Sequence, residues 1–288
     1  VYAASFGSTG PDALRPAFDA VISAMAGGEV LQAGAGNPPQ QRQTTDHSAL
    51  LGVAVAILLG LRARDQTGEP QDIETTMVAS AAYLFSDDFI RYAGKPERLV
   101  PDAGQHGLHA LYRLYHAAED GWLFLACTRD AEWQRLCGGL GRPELATDVR
   151  FSTAAARTTN DAALTTALGD AFIQRPAKGR DGWEAILTAV GVACVDAAGT
   201  WPELLFDDDR HATAQRIGEF HHPQLGRVEQ VGAAIDLSDS AAPLRVPEPF
   251  AASTEALLLE VGYAAEEIER LTECGAVVVA ADEREPEH

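Results

Sequence analysis

Residues 44–77 read TTDHSALLGVAVAILLGLRARDQTGEPQDIETTM. A polar segment ends at Thr44-Thr45-Asp46, and an apolar run follows from Ala49 to Leu61. Within it Leu50, Val53, Ala54, Ile57, Leu58 and Leu61 recur at three- and four-residue spacing, which predicts a buried helix. Gly52 and Gly60 weaken a helix intrinsically, so tertiary packing must hold it. Arg62 and Arg64 stand where cations favour a helix C-terminus, and Gly68 followed by Pro70 is a stop signal. Asp46 or Ser48 is the natural N-cap. Beyond the stop, QDIETTM extends as a strand or leads into another helix.

A carboxylate at such a helix start has two readings. It caps the helix. Alternatively, it is an ionised group held beside unpaired N–H donors and the positive end of the helix dipole, where a forming oxyanion is stabilised as well.

An Asp before an Ala/Gly-rich apolar helix, then R-x-R-x-x-T-G-x-x-Q-x-I-x-x-x-M, resembles the family III CoA-transferases. The family often has Gly just before the Asp and soon after it. Here Thr45 precedes Asp46 and His47-Ser48 follow, and the family's T-G-x-G-Q is T-G-E-P-Q at 67–71. The resemblance makes Asp46 the nucleophile, which attacks an acyl-CoA thioester and becomes in turn a mixed anhydride and a CoA thioester. It implies coenzyme A as a substrate with no tightly bound cofactor, and an acyl-CoA and a small carboxylic acid as partners.

Further matches follow the family's order. A strand VYAASFG, a turn GSTGP and a helix from Asp12 or Pro16 to Ala26 place Arg15, Phe18 and Asp19 on the family's R-P-x-x-D. The resemblance puts Arg15 and Phe18 near the CoA. AGQHG at 103–107 resembles the glycine-rich loop that covers the nucleophile, with Gly104, Gln105 and Gly107 as its members. RPELATDVRFSTAAARTTN carries Asp148, Arg150, Phe151, Arg157 and Asn160, for which structural roles are expected. Gly34-x-Gly36 is too short for a dinucleotide fingerprint.

The chain has 288 residues, of which 46% are hydrophobic and 22% charged, as in a globular protein. Its net charge of −20 argues against nucleic acid or an anionic membrane surface as a partner. The run Ala49–Leu61 is shorter than a bilayer span. Cys127, Cys137, Cys194 and Cys274 match no metal or redox spacing, three of them in apolar surroundings, and a reducing cytoplasmic location is expected. His106, His109 and His116 lack acidic or Cys ligands at helical or hairpin spacing, so no metal site is expected. His221-His222-Pro223 reads as loop.

The expected fold is α/β: a partial Rossmann-like large domain with a small α+β domain, in an interlocked dimer as the resemblance implies. The boundaries read as a large domain at 1–95, with its N-terminal portion missing, and a linker at 96–110. A small domain follows at 111–205 and a linker at 206–250. A return to the large domain at 251–288 includes a charged tail expected to be disordered. A helix is expected over 78–95, a strand pair around Ala118–Gly121, and a helix pair near the C-terminus. The partner of the chain is a second copy, or a separate N-terminal half. Two other functions stand beside transfer. A 2-methylacyl-CoA racemase, a branch similar to this family, has His where this chain has Phe18. A non-catalytic fragment, or half of a split or fused transferase, is the third.

Overall fold

A computed structural model describes residues 1–13, 15–41, 44–197, 217–222, 225–232, 235, 237–240, 248 and 250–280. The chain divides into two compact units, Val1–Gly199 and Thr200–His288. The architecture is mixed α/β.

The first unit opens with β1 (Tyr2–Ala4), α1 (Asp19–Met25), α2 (Gly28–Leu31), α3 (Thr45–Thr67), β2 (Glu74–Thr76) and α4 (Met77–Leu84). β1 and β2 pair in parallel, with Tyr2 opposite Glu74 and Ala4 opposite Thr76. β1, three residues of the expected strand VYAASFG, is largely exposed. α1 starts at Asp19, later than expected. The helix expected over 78–95 stops at Leu84, and the following residues are turns and irregular chain.

α3 reverses the burial that its periodicity suggests. Thr45 and Ala56 are buried, while Leu50, Leu51, Leu58 and Leu59 are 63–68% exposed. The face turned inward is a stripe of small residues, Ala49, Gly52, Ala56, Gly60 and Ala63, at three- and four-residue spacing. The helix lies too close to its neighbours for larger groups. A Cβ on Gly52 would stand 2.8 Å from Ser80 Oγ, and one on Gly60 would stand 2.6 Å from Ile73 Cδ1. The glycines that cost helix propensity therefore permit the packing. At 23 residues, α3 is also long and apolar enough to cross a membrane by length and composition, which the shorter run Ala49–Leu61 did not suggest.

The same unit continues with β3 (Gly107–His109), β4 (Tyr112–His116), β5 (Trp122–Ala126), α5 (Asp130–Gly139), α6 (Glu144–Thr147), α7 (Ala154–Thr159), α8 (Asp161–Phe172), α9 (Trp183–Ala189) and β6 (Ala193–Asp196). The strands form an antiparallel sheet in the order β3-β4-β5-β6. The expected hairpin is present: Tyr112 pairs with Ala126 and His116 with Trp122. Its turn places Glu119 and Asp120 in the left-handed region, at φ 60° and 55°. Leu123 and Leu125 enter a core with Trp133, Leu136, Phe172 and Leu187.

The charged motif after α6 is structural, as expected. The Asp148 carboxylate accepts from Arg150 N–H at 2.9 Å and from its guanidinium at 2.6 Å. Asn160 donates to the carbonyls of Arg150 and Ala156. Arg157, its side chain 8% exposed, pairs with Asp130 and donates to the Phe151 carbonyl at 3.0 Å. Burying that guanidinium is tolerable because it is paired and hydrogen-bonded.

In the second unit β7 (Ile217–His222) and β8 (Gly226–Val231) form an antiparallel hairpin. His221 and His222 therefore lie in a strand, not in the loop expected of them. α10 (Thr254–Glu260) and α11 (Ala265–Glu273) are the terminal helix pair. Residues 198–216 and the tail 281–288 lie outside the described residues, as does Pro223.

Candidate functional site

α3 runs antiparallel to β2. Gly60 approaches Ile73 and Gly52 approaches Thr75, while Ala49 shares a small cavity with Ala4 and Thr76. The N-terminus of α3 therefore emerges at the C-terminal ends of the parallel strands. In open α/β sheets, ligands bind at that edge. Asp46 is the second residue of α3, exposed and one turn beyond Ala49.

Asp46 is not the cap. The N-cap position is Thr44, whose side chain makes no capping bond, and Ser48 Oγ turns back to the Thr45 carbonyl. The orphan N–H groups go to a carboxylate from another helix. Asp19, at the start of α1, accepts with Oδ1 from Thr44 N–H at 3.2 Å and from Thr45 N–H at 3.1 Å. Oδ1 also accepts from the Thr45 hydroxyl at 2.7 Å, and Oδ2 from Asp46 N–H at 3.4 Å. Burial pushes the Asp19 carboxyl up, but these hydrogen bonds outweigh it and hold it below its ordinary value. Thr45 is completely buried.

This division of labour leaves the Asp46 side chain unused by the fold. Among the described residues its carboxylate has neither a hydrogen-bond nor an ion-pair partner. It stands in the first turn of a long helix, where the dipole favours negative charge. The sequence pointed to Asp19 through the R-P-x-x-D match, but a cap reaching from residue 19 to residue 45 has no local signal.

Phe18 is the N-cap residue of α1 and is 80% exposed. Arg15 is exposed, 3.5 Å from Asp12 and with its guanidinium 5.3 Å from the centre of the Phe6 ring. The turn after β1 is fastened by Glu74 of β2, which accepts from the Ser8 amide and, at 2.6 Å, from its hydroxyl.

Gly104 and Gln105 belong to a loop clasped by residues 33–37, and Gly107 at its end opens β3. Ala35 N–H donates to the Pro101 carbonyl at 2.8 Å. Asn37 Nδ2 donates to the carbonyls of Ala33 and Ala103 at 2.9 and 2.7 Å. Gln105 Nε2 donates to the Ala33 carbonyl at 2.7 Å. Gln105 holds φ at +59°. Gly34, at φ +90°, lies so close that a Cβ there would be 2.4 Å from the Asp102 carbonyl oxygen. Asp102 organises the inside of the loop, accepting from His106 N–H at 3.0 Å and pairing with Arg113 at 2.8 Å. Burial raises its carboxyl, and the His106 N–H and Arg113 more than reverse that. His106 stacks on Trp122 at 5.5 Å, and His116 meets the same ring at 3.8 Å. Among the described residues no hydrogen bond or ion pair joins Gly104, Gln105, Gly107 or Arg15 to Asp46.

One further group was invisible in the sequence. Glu29 of α2 is 9% exposed, and neither carboxylate oxygen has a hydrogen-bond partner among the described residues.

The chain is similar to several known proteins. The acetyl-CoA:oxalate CoA-transferase of Acetobacter aceti is 30% identical over 182 residues, which are 62% of this chain and 46% of that protein. A solved structure of Rv3272 from Mycobacterium tuberculosis superposes with a TM-score of 0.72 at 22% identity, over 88% of this chain and 67% of that one. A CaiB/BaiF family protein from Brucella suis gives a TM-score of 0.69 at 28% identity, over 90% of this chain and 66% of that one. The chain spans about half the length of the curated relatives it matches. The model of CoA-transferase family III matches residues 1–252, and with the fold in agreement the chain belongs to that family.

Proposed function

We propose that the chain takes part in transferring CoA between an acyl-CoA and a small carboxylic acid, with Asp46 as the group that carries the acyl and CoA moieties. The observation that carries this reading is the Asp46 carboxylate itself. It is exposed, without a hydrogen-bond or ion-pair partner among the described residues, and relieved of capping by Asp19, at the edge of the parallel strands where open α/β sheets bind ligands. The A. aceti relative, named for acetyl-CoA and oxalate, supports the substrate class.

The chemistry follows from a free carboxylate. An Asp46 oxygen attacks the thioester carbonyl, the C–S bond breaks and CoA leaves as thiolate, giving a mixed anhydride. The thiolate attacks the Asp46 carbonyl of that anhydride and releases the first acid as its carboxylate, so Asp46 now bears CoA as a thioester. The acceptor carboxylate attacks this thioester, reforming an anhydride and the thiolate. Attack of the thiolate on the new acyl carbonyl yields the second acyl-CoA and frees Asp46. Covalent catalysis thus divides one difficult exchange into four acyl transfers of similar difficulty.

The test is chemical trapping. Incubation with acyl-CoA followed by hydroxylamine should place a hydroxamate on the peptide containing Asp46. Asp46→Asn should abolish both the label and transfer. Label on another peptide, or near-normal transfer by Asp46→Asn, would remove Asp46 from the mechanism. Because the chain spans about half of its curated relatives, the enzyme to assay is the assembly in which it works.

A further inference from the structure

Strand β3 and helices α5, α7 and α8 surround a cavity of about 580 Å³, a volume typical of small-ligand pockets. Its walls come from residues 99–164, so none belongs to α1, α3 or β2. Leu111 and Leu164, both buried, give it apolar surface. The backbone beside them is fixed. Ala110 N–H donates to Asp161 Oδ1 at 2.8 Å, and the Ala110 carbonyl accepts from the buried Tyr115 hydroxyl at 2.6 Å. His109 Nδ1 accepts from Leu111 N–H at 3.2 Å, which leaves Nε2 to carry the ring's proton. Two charged groups on the walls keep unused hydrogen-bonding capacity. Arg157 is buried; one Nη donates to the Phe151 carbonyl and the other pairs with Asp130, but Nε–H has no acceptor among the described residues. Asp161 commits one oxygen to Ala110, and Oδ2 has no partner among the described residues. Such groups are stabilised when a ligand supplies the missing partner.

We propose that this cavity is a second ligand site, separate from Asp46, and that it takes an α-amino acid with an apolar side chain. The ligand carboxylate meets Arg157 and the Nε2–H of His109, its ammonium meets Asp161, and its side chain lies against Leu111 and Leu164. The charge pattern argues for a zwitterion. Arg129 pairs with Glu132 and Arg157 with Asp130, so the walls hold matched pairs and one further carboxylate, Asp161. A plain anion would enter beside Asp130 and Asp161, and a plain cation beside Arg129 and Arg157, with like charges unrelieved in both cases. An amino acid presents the opposite sign to each. The apolar lining opposes a further charge on the side chain, which would lose its hydration there. The inference rests on the cavity and does not depend on the role of Asp46.

The test is isothermal titration calorimetry on the purified chain, with L-norleucine and L-leucine as probes. Saturable binding of one equivalent is expected for at least one of them. Hexanoate and pentylamine keep the norleucine chain but lack its ammonium or its carboxylate. Each should displace the amino acid roughly tenfold less well or worse, because a polar group of the site is left unpaired. Thr158→Trp fills the cavity from an exposed position and should abolish binding with the melting temperature unchanged. Asp161→Asn keeps an oxygen for Ala110 N–H and removes the charge, so binding should weaken roughly tenfold or more. Asp46→Asn should bind the amino acid as the wild type does. No binding of either probe, equal displacement by hexanoate or pentylamine, or unchanged affinity in Thr158→Trp or Asp161→Asn would overturn the proposal. So would loss of binding in Asp46→Asn, which would assign the heat to the transfer site.

Discussion

Asp19 Oδ1 lies 2.7 Å from the Thr45 hydroxyl and 3.1 Å from the Thr45 amide, so a carboxylate on one helix closes the N-terminus of another. The consequence is a separation of roles between two acids one hydrogen bond apart. Asp19 holds the helix, and Asp46 rides on it.

Asp19→Ala should destabilise the chain by roughly 2–3 kcal/mol, since it removes a cap and leaves the buried Thr45 amide without an acceptor. Asp19→Asn retains one oxygen and should cost about 1 kcal/mol. The folded carboxyl lies below 3.8, so its contribution is complete above about pH 4 and is lost as the pH falls through the folded value. Denaturant titrations of wild type and Asp19→Asn should therefore differ at pH 7 and converge on acidification below about pH 4. Parallel curves throughout would show that the carboxylate charge does not matter to the cap.

Asp46→Ala should change stability little, by about 0.5 kcal/mol for the lost charge–dipole interaction. The same substitution should remove acyl transfer by several orders of magnitude in the assembled enzyme. A loss near that of Asp19→Ala in chemical denaturation would return Asp46 to a capping role.

Gly34→Ala must move the Asp102 carbonyl, because the added Cβ would be 2.4 Å away and Gly34 sits at φ +90°. Positive φ makes Ala unfavourable by itself, by about 1 kcal/mol or more. Hydrogen exchange of residues 101–107 should accelerate at least tenfold in Gly34→Ala and in Asn37→Ala, with β4 and β5 unchanged. Equal protection in all three proteins would show that residues 33–37 do not hold the loop.

Glu29→Met should raise the melting temperature. It replaces two buried carboxylate oxygens that have no partner among the described residues with a side chain of similar length, relieving a cost of about 1–3 kcal/mol. A lower melting temperature would mean that the carboxylate has a partner in solution.

Burial pushes the thiols of Cys127, Cys137 and Cys194 up to about 12. At pH 8 they should react slowly with iodoacetamide, while the exposed Cys274 reacts readily. Mass spectrometry should count one fast adduct in the folded chain and four in denaturant.

Local sequence determined a good deal of this protein. The turn at Ala118–Gly121, the strands beside it, the Asp148–Arg150 pair and the stop at Gly68 all rest on interactions within a few residues, and so they were legible. The resemblance around Asp46 likewise followed from residues adjacent in the chain. The orientation of α3 did not. Its leucine periodicity marks an apolar face that reads as buried, while the Ala/Gly stripe marks the face that lets a backbone come close. Only the tertiary structure decided that the second face meets β2 and α4 and that the first is left outside. The cap was decided in the same way. Helix ends are satisfied by whichever acceptor the fold delivers, and here the fold brings Asp19 across 26 residues to Thr45, freeing Asp46 from the task that its position in the sequence suggested.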